Sequence, residues 1–358
     1  MSEPVSSNAV SWETTACPLC GDERSSTVLV GRDLLYGCPG EFTLARCEAC
    51  RHAFVNPRPT RECIGQFYPA DYGPYRGGQI ANCKLQISNC ELPGERKQRS
   101  VFDPRSWRWL RCLVLWWIDS RATPVPKFQI SNFKSQVPQR ALELGCSHGA
   151  FLQQLRDQDW ECLGIEPAAE AARRAAERGF AVQVGTLESV VAADPQTFAP
   201  GSFDAVFAWM VIEHLHDPVA TLRLARELLK PEGLLLFNVP NFGCWEWRAF
   251  GRFWHALDFP RHLQQFTVTS LRQLLHASGF ELVELIHQRN VINLVGSVGL
   301  WLRMKFPRRS LGERLIRWTH NPSALGLCLL APLARVLAMV RQSGRLTVVA
   351  RRSNPPNS

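Results

Sequence analysis

The stretch ALELGCSHGAFLQQL, residues 141–155, joins a strand-like run to an apolar helical run through a glycine turn. Gly145 and Gly149 bracket the turn, and glycine permits both a positive φ and close approach of a ligand to the backbone. The helix that begins near Ala150 adds free N–H donors. A dinucleotide site would show G-x-G-x-x-G facing a pyrophosphate. Here Glu143 stands ahead of the turn instead, and its carboxylate favours a cationic amino acid or a sulfonium because opposite charges attract in a partly dry pocket.

A second acidic residue ends the next strand-like run. Glu166 closes the stretch WECLGIEP (160–167), where a carboxylate can accept hydrogen bonds from two ribose hydroxyls, as acids do in nucleotide-binding folds. The glycine turn, the strand-end acid and the alternation of strands with helices are each weak signals alone. Together they indicate a site for a positively charged nucleoside.

The segment 138–288 alternates strand-like and helix-like runs. Predicted strands include FAVQVGT, FDAVFAWM and LLLFNVPN, and predicted helices include AAEAARRAAERG and TVTSLRQLLHASGF. Such alternation predicts a mainly parallel sheet covered by helices on both faces. The run RLTVVARR (345–352) alternates like an edge strand.

Composition describes a globular chain in a reducing compartment. The 358 residues are 46% hydrophobic and 20% charged, with a net charge of +9 that permits acidic partners without choosing among them. The N-terminus has neither a basic nor an apolar signal region, and the thirteen cysteines then indicate metal ligation and free thiols, not disulfides. We expect a cytoplasmic protein, with membrane association left open.

Two cysteine pairs predict a structural zinc site. They form C-x2-C, a gap of 26 residues (47 − 20 − 1), and C-x2-C, contributed by Cys17, Cys20, Cys47 and Cys50. Four thiolates can bind one tetrahedral Zn²⁺ and leave no open position for catalytic water. The alternatives are free thiols, or replacement of one ligand by Cys38 or His52.

The segment 77–137 carries a short repeat. QIANCKL (79–85) is followed by QISNCEL (86–92), and QISNFKS recurs at 129–135. We interpret the copies as low-complexity insertions, flanking a predicted amphipathic helix at 103–120 whose apolar residues recur at three- and four-residue steps.

The motifs resemble those of class I S-adenosylmethionine-dependent methyltransferases. They are LELGCSHGAFL, GIEPAAEAARRAAERG, FDAVFAWMVIEHLHDPVATLRLARELLKPEGLLLFNVPN and DFPRHLQQFTVTSLRQLLHASGFELVE. The chain is similar to the group with an N-terminal zinc-ribbon-like segment, which includes sugar C-methyltransferases. The resemblance implies an α/β, Rossmann-like seven-stranded sheet behind a small zinc ribbon. The units would be 1–76 (ribbon), 77–137 (insertion), 138–288 (methyltransferase domain), 289–344 (helical insertion) and 345–352 (last strand).

By this resemblance, S-adenosylmethionine is the cofactor. Its methionine end would be lined by Glu143, Gly145, Cys146 and Gly149, and its ribose held by Glu166. Its adenine would be bordered by Gly185, Thr186 and Leu187, and its outer side closed by Trp209 and Met210. The family's middle glycine is Ser147 here, which costs little if its φ is negative.

The stretch VIEHLHD (211–217) would open onto the active site. Methyl transfer is an in-line displacement that requires alignment and removal of a proton from the nucleophile. His214 is our preferred general base because imidazole titrates near neutrality, with Glu213 orienting it or binding substrate. His214 could instead cap the following helix. In similar quinone O-methyltransferases, acids and a histidine here hold a divalent metal, which is a further alternative.

The stretch DFPRHLQQF (258–266) would lie over the pocket, with His262 and Arg261 contacting substrate or packing the loop. Tyr72 and Tyr75 could reach the pocket from the N-terminal segment 1–76. His216 and His255 are expected to be structural or solvent-facing.

The segment 289–344 is apolar and basic. Residues 289–320 contain seven Arg or Lys and one Glu, a net of +6. Arg303, Pro332 and Arg335 interrupt the apolar runs, which argues against a spanning helix. The segment is expected to form a lid or dimer surface, or to contact an anionic membrane.

The function expected is methyl transfer to carbon or oxygen of a small molecule, such as a sugar, a nucleotide-linked sugar, or a polysaccharide or lipid precursor. One rival is a nucleic-acid methyltransferase, but the fourth strand ends AWMVIEH, without the N/D-P-P-Y of amino-methylating enzymes, and no nucleic-acid partner is expected. The other rival is a zinc-ribbon binding protein with a lapsed catalytic domain.

Overall fold

The computed structural model describes residues 10–69, 72–73 and 139–353. The repeats, the helix expected at 103–120 and Tyr75 lie outside the described residues.

Thirteen strands and nine α-helices are present in the described ranges. The strands are β1 Trp12–Glu13, β2 Ser25–Gly31, β3 Phe42–Cys47, β4 Ala53–Val55, β5 Arg58–Pro59, β6 Arg140–Leu144, β7 Glu161–Glu166, β8 Ala181–Val184, β9 Phe203–Trp209, β10 Leu229–Pro240, β11 Gln264–Gln265, β12 Phe280–His287 and β13 Arg345–Arg352. The helices are α1 Ala150–Arg156, α2 Ala169–Glu177, α3 Leu187–Ala193, α4 Pro218–Leu228, α5 Trp245–Phe250, α6 Val268–Ala277, α7 Ile292–Lys305, α8 Leu311–His320 and α9 Ala324–Met339.

The large sheet has seven strands in the order β12-β13-β10-β9-β6-β7-β8. The neighbours from β10 to β8 pair in parallel, and β13 runs antiparallel to both β10 and β12. Helices follow β6, β7, β8 and β9, as the βα alternation predicts. The seven-stranded class I methyltransferase sheet expected from the sequence is therefore confirmed.

The last strand is not an edge strand, so that prediction was wrong. β13 lies between β10 and β12, and residues 346–350 are all buried. Thr347 supplied the apparent alternation, but its hydroxyl oxygen accepts a hydrogen bond from the Gln288 side-chain amide at 2.6 Å. A satisfied threonine can therefore lie in a run buried on both faces. The exposed edges belong to β8 and β12.

Parallel pairing brings the candidate residues together. Because β6, β7, β9 and β10 run in the same direction, their carboxyl ends meet at one edge of the sheet, where ligands bind in open α/β folds. Beneath that edge, the Phe207 ring packs on Phe151 and Trp209 at centroid distances of 4.9 and 5.9 Å.

The N-terminal module is joined to the loop that precedes α6. β11 adds to the module's sheet, in the order β11-β4-β3-β2. Arg261, fully buried in that loop, forms ion pairs with Asp33 of the module at 2.9 Å and with Asp258 at 2.7 Å. The module and this loop therefore pack as one body.

Three helices, α7 to α9, lie between β12 and β13 in the sequence. Gly299 and Gly312 allow α7 and α8 to approach closely, since a Cβ on Gly312 would lie 2.6 Å from the Arg303 nitrogen. Among the described helices, none alone is long and apolar enough to cross a membrane. The pair α8 and α9, bent by 89°, passes that test by length and composition.

Candidate functional site

The glycine turn after β6 has the conformation that its sequence predicts. Gly145 and Gly149 have φ values of +67° and +77°. A Cβ on Gly145 would lie 2.5 Å from the Val211 side chain, and one on Gly149 would lie 2.7 Å from the Phe180 ring. Both positions therefore require glycine on conformational and steric grounds.

Ser147 departs from the expectation. Its φ is +48°, so the condition that would make serine harmless at this position is not met. The Ser147 N–H donates to Glu166 Oε2 at 2.8 Å, and this bond to a buried carboxylate fixes the left-handed turn. For a non-glycine residue that conformation costs about 1–2 kcal/mol.

Glu166 lies at the end of β7 and is buried. Its two carboxylate oxygens accept hydrogen bonds from the backbone N–H groups of Ser147, at 2.8 Å, and Ala168, at 2.9 Å. Burial raises the pKa of Glu166, and the two N–H donors oppose that rise. Each carboxylate oxygen has a further lone pair, so the group is held in place while retaining acceptor capacity for ribose hydroxyls.

Glu143 lies beneath the turn. It is 3% exposed, and among the described residues its Oε2 atom is buried without a hydrogen-bond partner. Burial and the nearby Glu166 carboxylate raise its pKa. A cationic ligand group beside this acid would compensate the charge, so the donor set fits S-adenosylmethionine, which carries an ammonium and a sulfonium.

The turn after β8 also borders Glu166. The Gly185 N–H donates to the Glu166 carbonyl oxygen at 3.1 Å, and Thr186 caps α3 by accepting from the Ser189 N–H. The Cys146 and Leu187 side chains are buried in the apolar core, which leaves the backbone of these two residues for the contacts expected from the sequence.

Trp209 and Met210 lie at the carboxyl end of β9. The Trp209 indole N–H is buried and has no partner in the described chain. Met210 has a φ of +56°, and its N–H donates to Asn238 Oδ1 at 2.8 Å. This turn directs the chain away from the sheet and into residues 212–214.

Glu213, His214 and His262 are brought together by the fold. One ligand atom from each lies within 4.8 Å of the others. Glu213 is fully buried, and both of its carboxylate oxygens lack a partner among the described residues. His214 Nδ1 lies 3.0 Å from the Arg261 carbonyl oxygen and 2.9 Å from the Tyr68 hydroxyl.

Burial changes the ionisation of this cluster. It lowers the pKa of His214 to about 3, aided by His262, and raises the pKa of Glu213 to about 8. The reason that favoured His214, titration near neutrality, therefore does not apply to this half-buried ring. The same three groups have the ligand chemistry for a divalent cation.

His216 and His255 have structural contacts, in line with the expectation that they are structural or solvent-facing. His216 Nε2 hydrogen-bonds the Pro59 carbonyl oxygen at 3.0 Å, and the half-buried His255 packs beside α7. Tyr72 is buried against Tyr68, with ring centroids 5.0 Å apart.

Four residues near the cluster were missed from the sequence. Tyr68 contacts His214, and Asp258 Oδ2 lies 3.7 Å from His262 Nε2. Glu246 is buried and Arg345 half-buried nearby, and Arg345 opposes the rise in the pKa of both Glu213 and Glu246. Only Tyr68 and Asp258 had a local signal, since they lie in the aromatic FYPADYGPY and in the DFPRHLQQF motif.

The four paired cysteines converge as predicted. The Sγ atoms of Cys17 and Cys50 are 3.4 Å apart, those of Cys20 and Cys47 are 3.5 Å apart, and all four lie within 4.8 Å of one another. Zn–S bonds of about 2.3 Å in a tetrahedron require sulfur separations of about 3.8 Å. The cluster therefore fits a zinc ion. His52 is directed elsewhere, towards Gln264 at 2.9 Å.

Comparison with known proteins agrees with this geometry. A model of the methyltransferase domain family matches residues 122–285. Ubiquinone biosynthesis O-methyltransferases from Albidiferax ferrireducens and Chromobacterium violaceum are 32% and 28% identical over 107 and 141 residues. The matches cover 29% and 35% of this chain and 42% and 58% of those enzymes, so the chain spans about half the length of these relatives.

A solved S-adenosylmethionine-dependent methyltransferase from Mesorhizobium loti has a TM-score of 0.39 and 17% identity, covering 61% of this chain and 93% of that one. This likeness is low, and the fold assignment depends on the strand order above. The methyltransferase domain family model thus matches 164 of the 358 residues (285 − 122 + 1), and the described chain combines a class I methyltransferase sheet with a four-cysteine module in front of it.

Proposed function

We propose that the protein is an S-adenosylmethionine-dependent methyltransferase that acts on a small molecule. The observation that carries this proposal is the meeting of Glu143, Glu166 and the turn at Gly185 around the glycine turn. Among the described residues, the buried Glu143 carboxyl group lacks a cationic neighbour. The Glu166 carboxylate is fixed by two backbone N–H groups and can still accept hydrogen bonds from hydroxyl groups. A cationic nucleoside satisfies both.

The acceptor is proposed to be a sugar, a nucleotide-linked sugar, or a polysaccharide or lipid precursor. The names of the O-methyltransferase relatives favour oxygen as the atom methylated. The bound cofactor supplies a methyl group on sulfur: the C–S bond breaks as a C–O bond forms, and the acceptor hydroxyl loses its proton.

His214 is the proposed proton acceptor. The Arg261 carbonyl oxygen can only accept, so a bond from His214 Nδ1–H to it leaves Nε2 with the free lone pair. Because the pKa of His214 is lowered to about 3, the ring is neutral at physiological pH and is a weak base, so it would take the proton only as the C–O bond forms. Glu213, whose pKa is raised to about 8, lies beside the ring largely protonated, and His262 borders the same space.

A second candidate uses the same cluster as a divalent-cation site. The two unpartnered oxygens of Glu213 favour it. Titration with Mg²⁺ or Zn²⁺, comparing the protein with its Glu213→Gln variant, separates this candidate from a metal-free cluster.

The four-cysteine module is proposed to hold one structural zinc ion. Its separations match a tetrathiolate site, and such a site leaves no coordination position for substrate.

Calorimetric titration with S-adenosylmethionine tests the activity proposal. We expect a dissociation constant in the micromolar range, on the order of −8 kcal/mol. Absence of binding at millimolar cofactor would favour the lapsed-domain alternative.

Turnover tests the role of His214, measured as S-adenosylhomocysteine release with a panel of nucleotide-linked sugars and sugar lipids. His214→Ala should lower turnover at least about tenfold while cofactor binding is retained. His276→Ala, at an exposed histidine in the last turn of α6, is the control. Unchanged turnover in His214→Ala removes this residue from the mechanism.

A further inference from the structure

The helices between β12 and β13 carry most of the exposed large apolar side chains. Ten of the fourteen such side chains in the described residues lie between positions 301 and 340. They are Trp301, Met304, Phe306, Leu311, Leu325, Leu329, Leu333, Val336, Met339 and Val340. Monomeric soluble proteins rarely expose so many apolar groups together, and such patches mark protein or membrane contacts.

α9 has two distinct apolar faces. Ala331, Ala334 and Leu337 are buried, and two of them pack with Val291. At about 100° per residue, the exposed residues from Leu325 to Val340 fall on the opposite side, in a stripe about 120° wide. Leu325 and Leu329 are 71% and 72% exposed. The outer stripe is therefore not part of the core.

A basic zone accompanies the stripe. Residues 301–341 contain eight Arg or Lys and one Glu, a net of +7 (8 − 1). Six of these cations are exposed: Lys305, Arg308, Arg309, Arg314, Arg317 and Arg341. We call the exposed apolar and basic residues of 301–341 the basic apolar surface.

Charge decides between two occupants of this surface. A second copy of the chain would bring another zone of net +7 against the first, and like charges repel. An anionic bilayer supplies both an apolar layer for the stripe and a negative surface for the cations. We place the helices on the bilayer surface, because the exposed cations of α7 and α8 would then lie among the headgroups while the stripe of α9 contacts the apolar layer.

Helix α7 connects the basic apolar surface, through its N-terminal half, with the candidate site. The His255 N–H donates to Ser297 Oγ of α7 at 2.9 Å, and a side chain on Gly296 would collide with the His255 ring. The chain continues from His255 through Asp258 to His262, within the cluster described above. α7 therefore links the basic apolar surface to the cluster of Glu213, His214 and His262.

We propose that the basic apolar surface docks the protein on an anionic lipid bilayer and places the site beside an acceptor carried in or on that bilayer. The second half of this proposal rests on the proposed methyl transfer. The docking itself does not.

Flotation with phosphatidylglycerol–phosphatidylcholine vesicles, without cofactor or acceptor, tests the docking. The protein should float with these vesicles and not with phosphatidylcholine alone, and 0.5 M NaCl should weaken binding at least about tenfold. The double variant Leu325→Asp/Leu329→Asp should lose at least about tenfold in affinity. Arg308→Glu/Arg309→Glu should lose affinity for the anionic vesicles.

Val184→Asp is the matched control, since Val184 is 57% exposed on β8 at the far edge of the sheet. Circular dichroism and titration with S-adenosylmethionine check that each variant is folded. Wild-type protein that does not float, or a folded Leu325/Leu329 variant that floats normally, overturns the proposal. So does a dimer in solution that the same variant dissociates, because that assigns the surface to self-association. Failed flotation with normal cofactor binding refutes the docking and leaves the proposed function intact.

Discussion

Replacement of Glu166 by glutamine tests how the nucleoside is held. The Glu166 oxygens accept from Ser147 at 2.8 Å and from Ala168 at 2.9 Å. A glutamine amide has one oxygen, and its nitrogen cannot accept, so one of the two backbone N–H groups must lose its partner. The amide also offers a weaker acceptor to a ribose hydroxyl.

The loss of one hydrogen bond from a ribose hydroxyl to the charged Glu166 carboxylate is worth about 2 kcal/mol. This free energy corresponds to roughly a thirtyfold rise in the dissociation constant of the cofactor. Calorimetric titration should show this weakening equally for S-adenosylmethionine and S-adenosylhomocysteine, since the ribose is common to both. Glu161→Gln, at the exposed start of the same strand, is the control and should bind normally. A folded Glu166→Gln protein with unchanged affinity would refute the proposed ribose contact.

Three further results are expected. Glu143→Gln should weaken binding of S-adenosylmethionine about tenfold more than that of S-adenosylhomocysteine, whose sulfur is uncharged, if the buried acid compensates the sulfonium; equal effects in parallel titrations would contradict this role and indicate the ammonium, which both ligands carry. Elemental analysis should find one zinc per chain, and Cys20→Ser should lower both zinc content and melting temperature; a metal-free protein of equal stability would exclude the site. Burial raises the pKa of Glu246 to about 7 from 4.5, so its contribution to stability is lost as pH rises through that interval. Glu246→Gln should therefore lose less stability between pH 5 and pH 8, by up to about 3 kcal/mol in denaturant titrations, and identical pH profiles would contradict the assignment.

The sheet and its acids were predictable because their signals are local. The turn from Gly145 to Gly149, Glu143 ahead of it and Glu166 one strand later all lie within 24 residues of sequence (166 − 143 + 1). Parallel pairing of neighbouring strands then brings them together without any long-range information. The zinc site was predictable for the same reason, because each cysteine pair lies within four consecutive residues.

The surroundings of the cluster of Glu213, His214 and His262 could not be predicted from local sequence signals. Tyr68 and His214 are 146 residues apart, and Arg261 and Asp33 are 228 apart. The low pKa of His214 follows from its burial, which depends on how these distant segments pack. The backbone angle of Ser147 also escaped prediction, because it is fixed by a hydrogen bond to Glu166 from another strand.

The packing of the N-terminal module bears on the rival functions. A zinc ribbon that binds a partner needs a free surface, and the β4 side of the module's sheet is covered by β11, which leaves β2 as the open edge. Arg261 is fully buried between Asp33 and Asp258, and removing one partner of a buried ion pair typically costs about 3–5 kcal/mol. Separating the module would therefore leave Arg261 without Asp33 and disturb the loop that carries His262. We therefore expect the module to act together with the loop that carries His262, not as an independent binding domain.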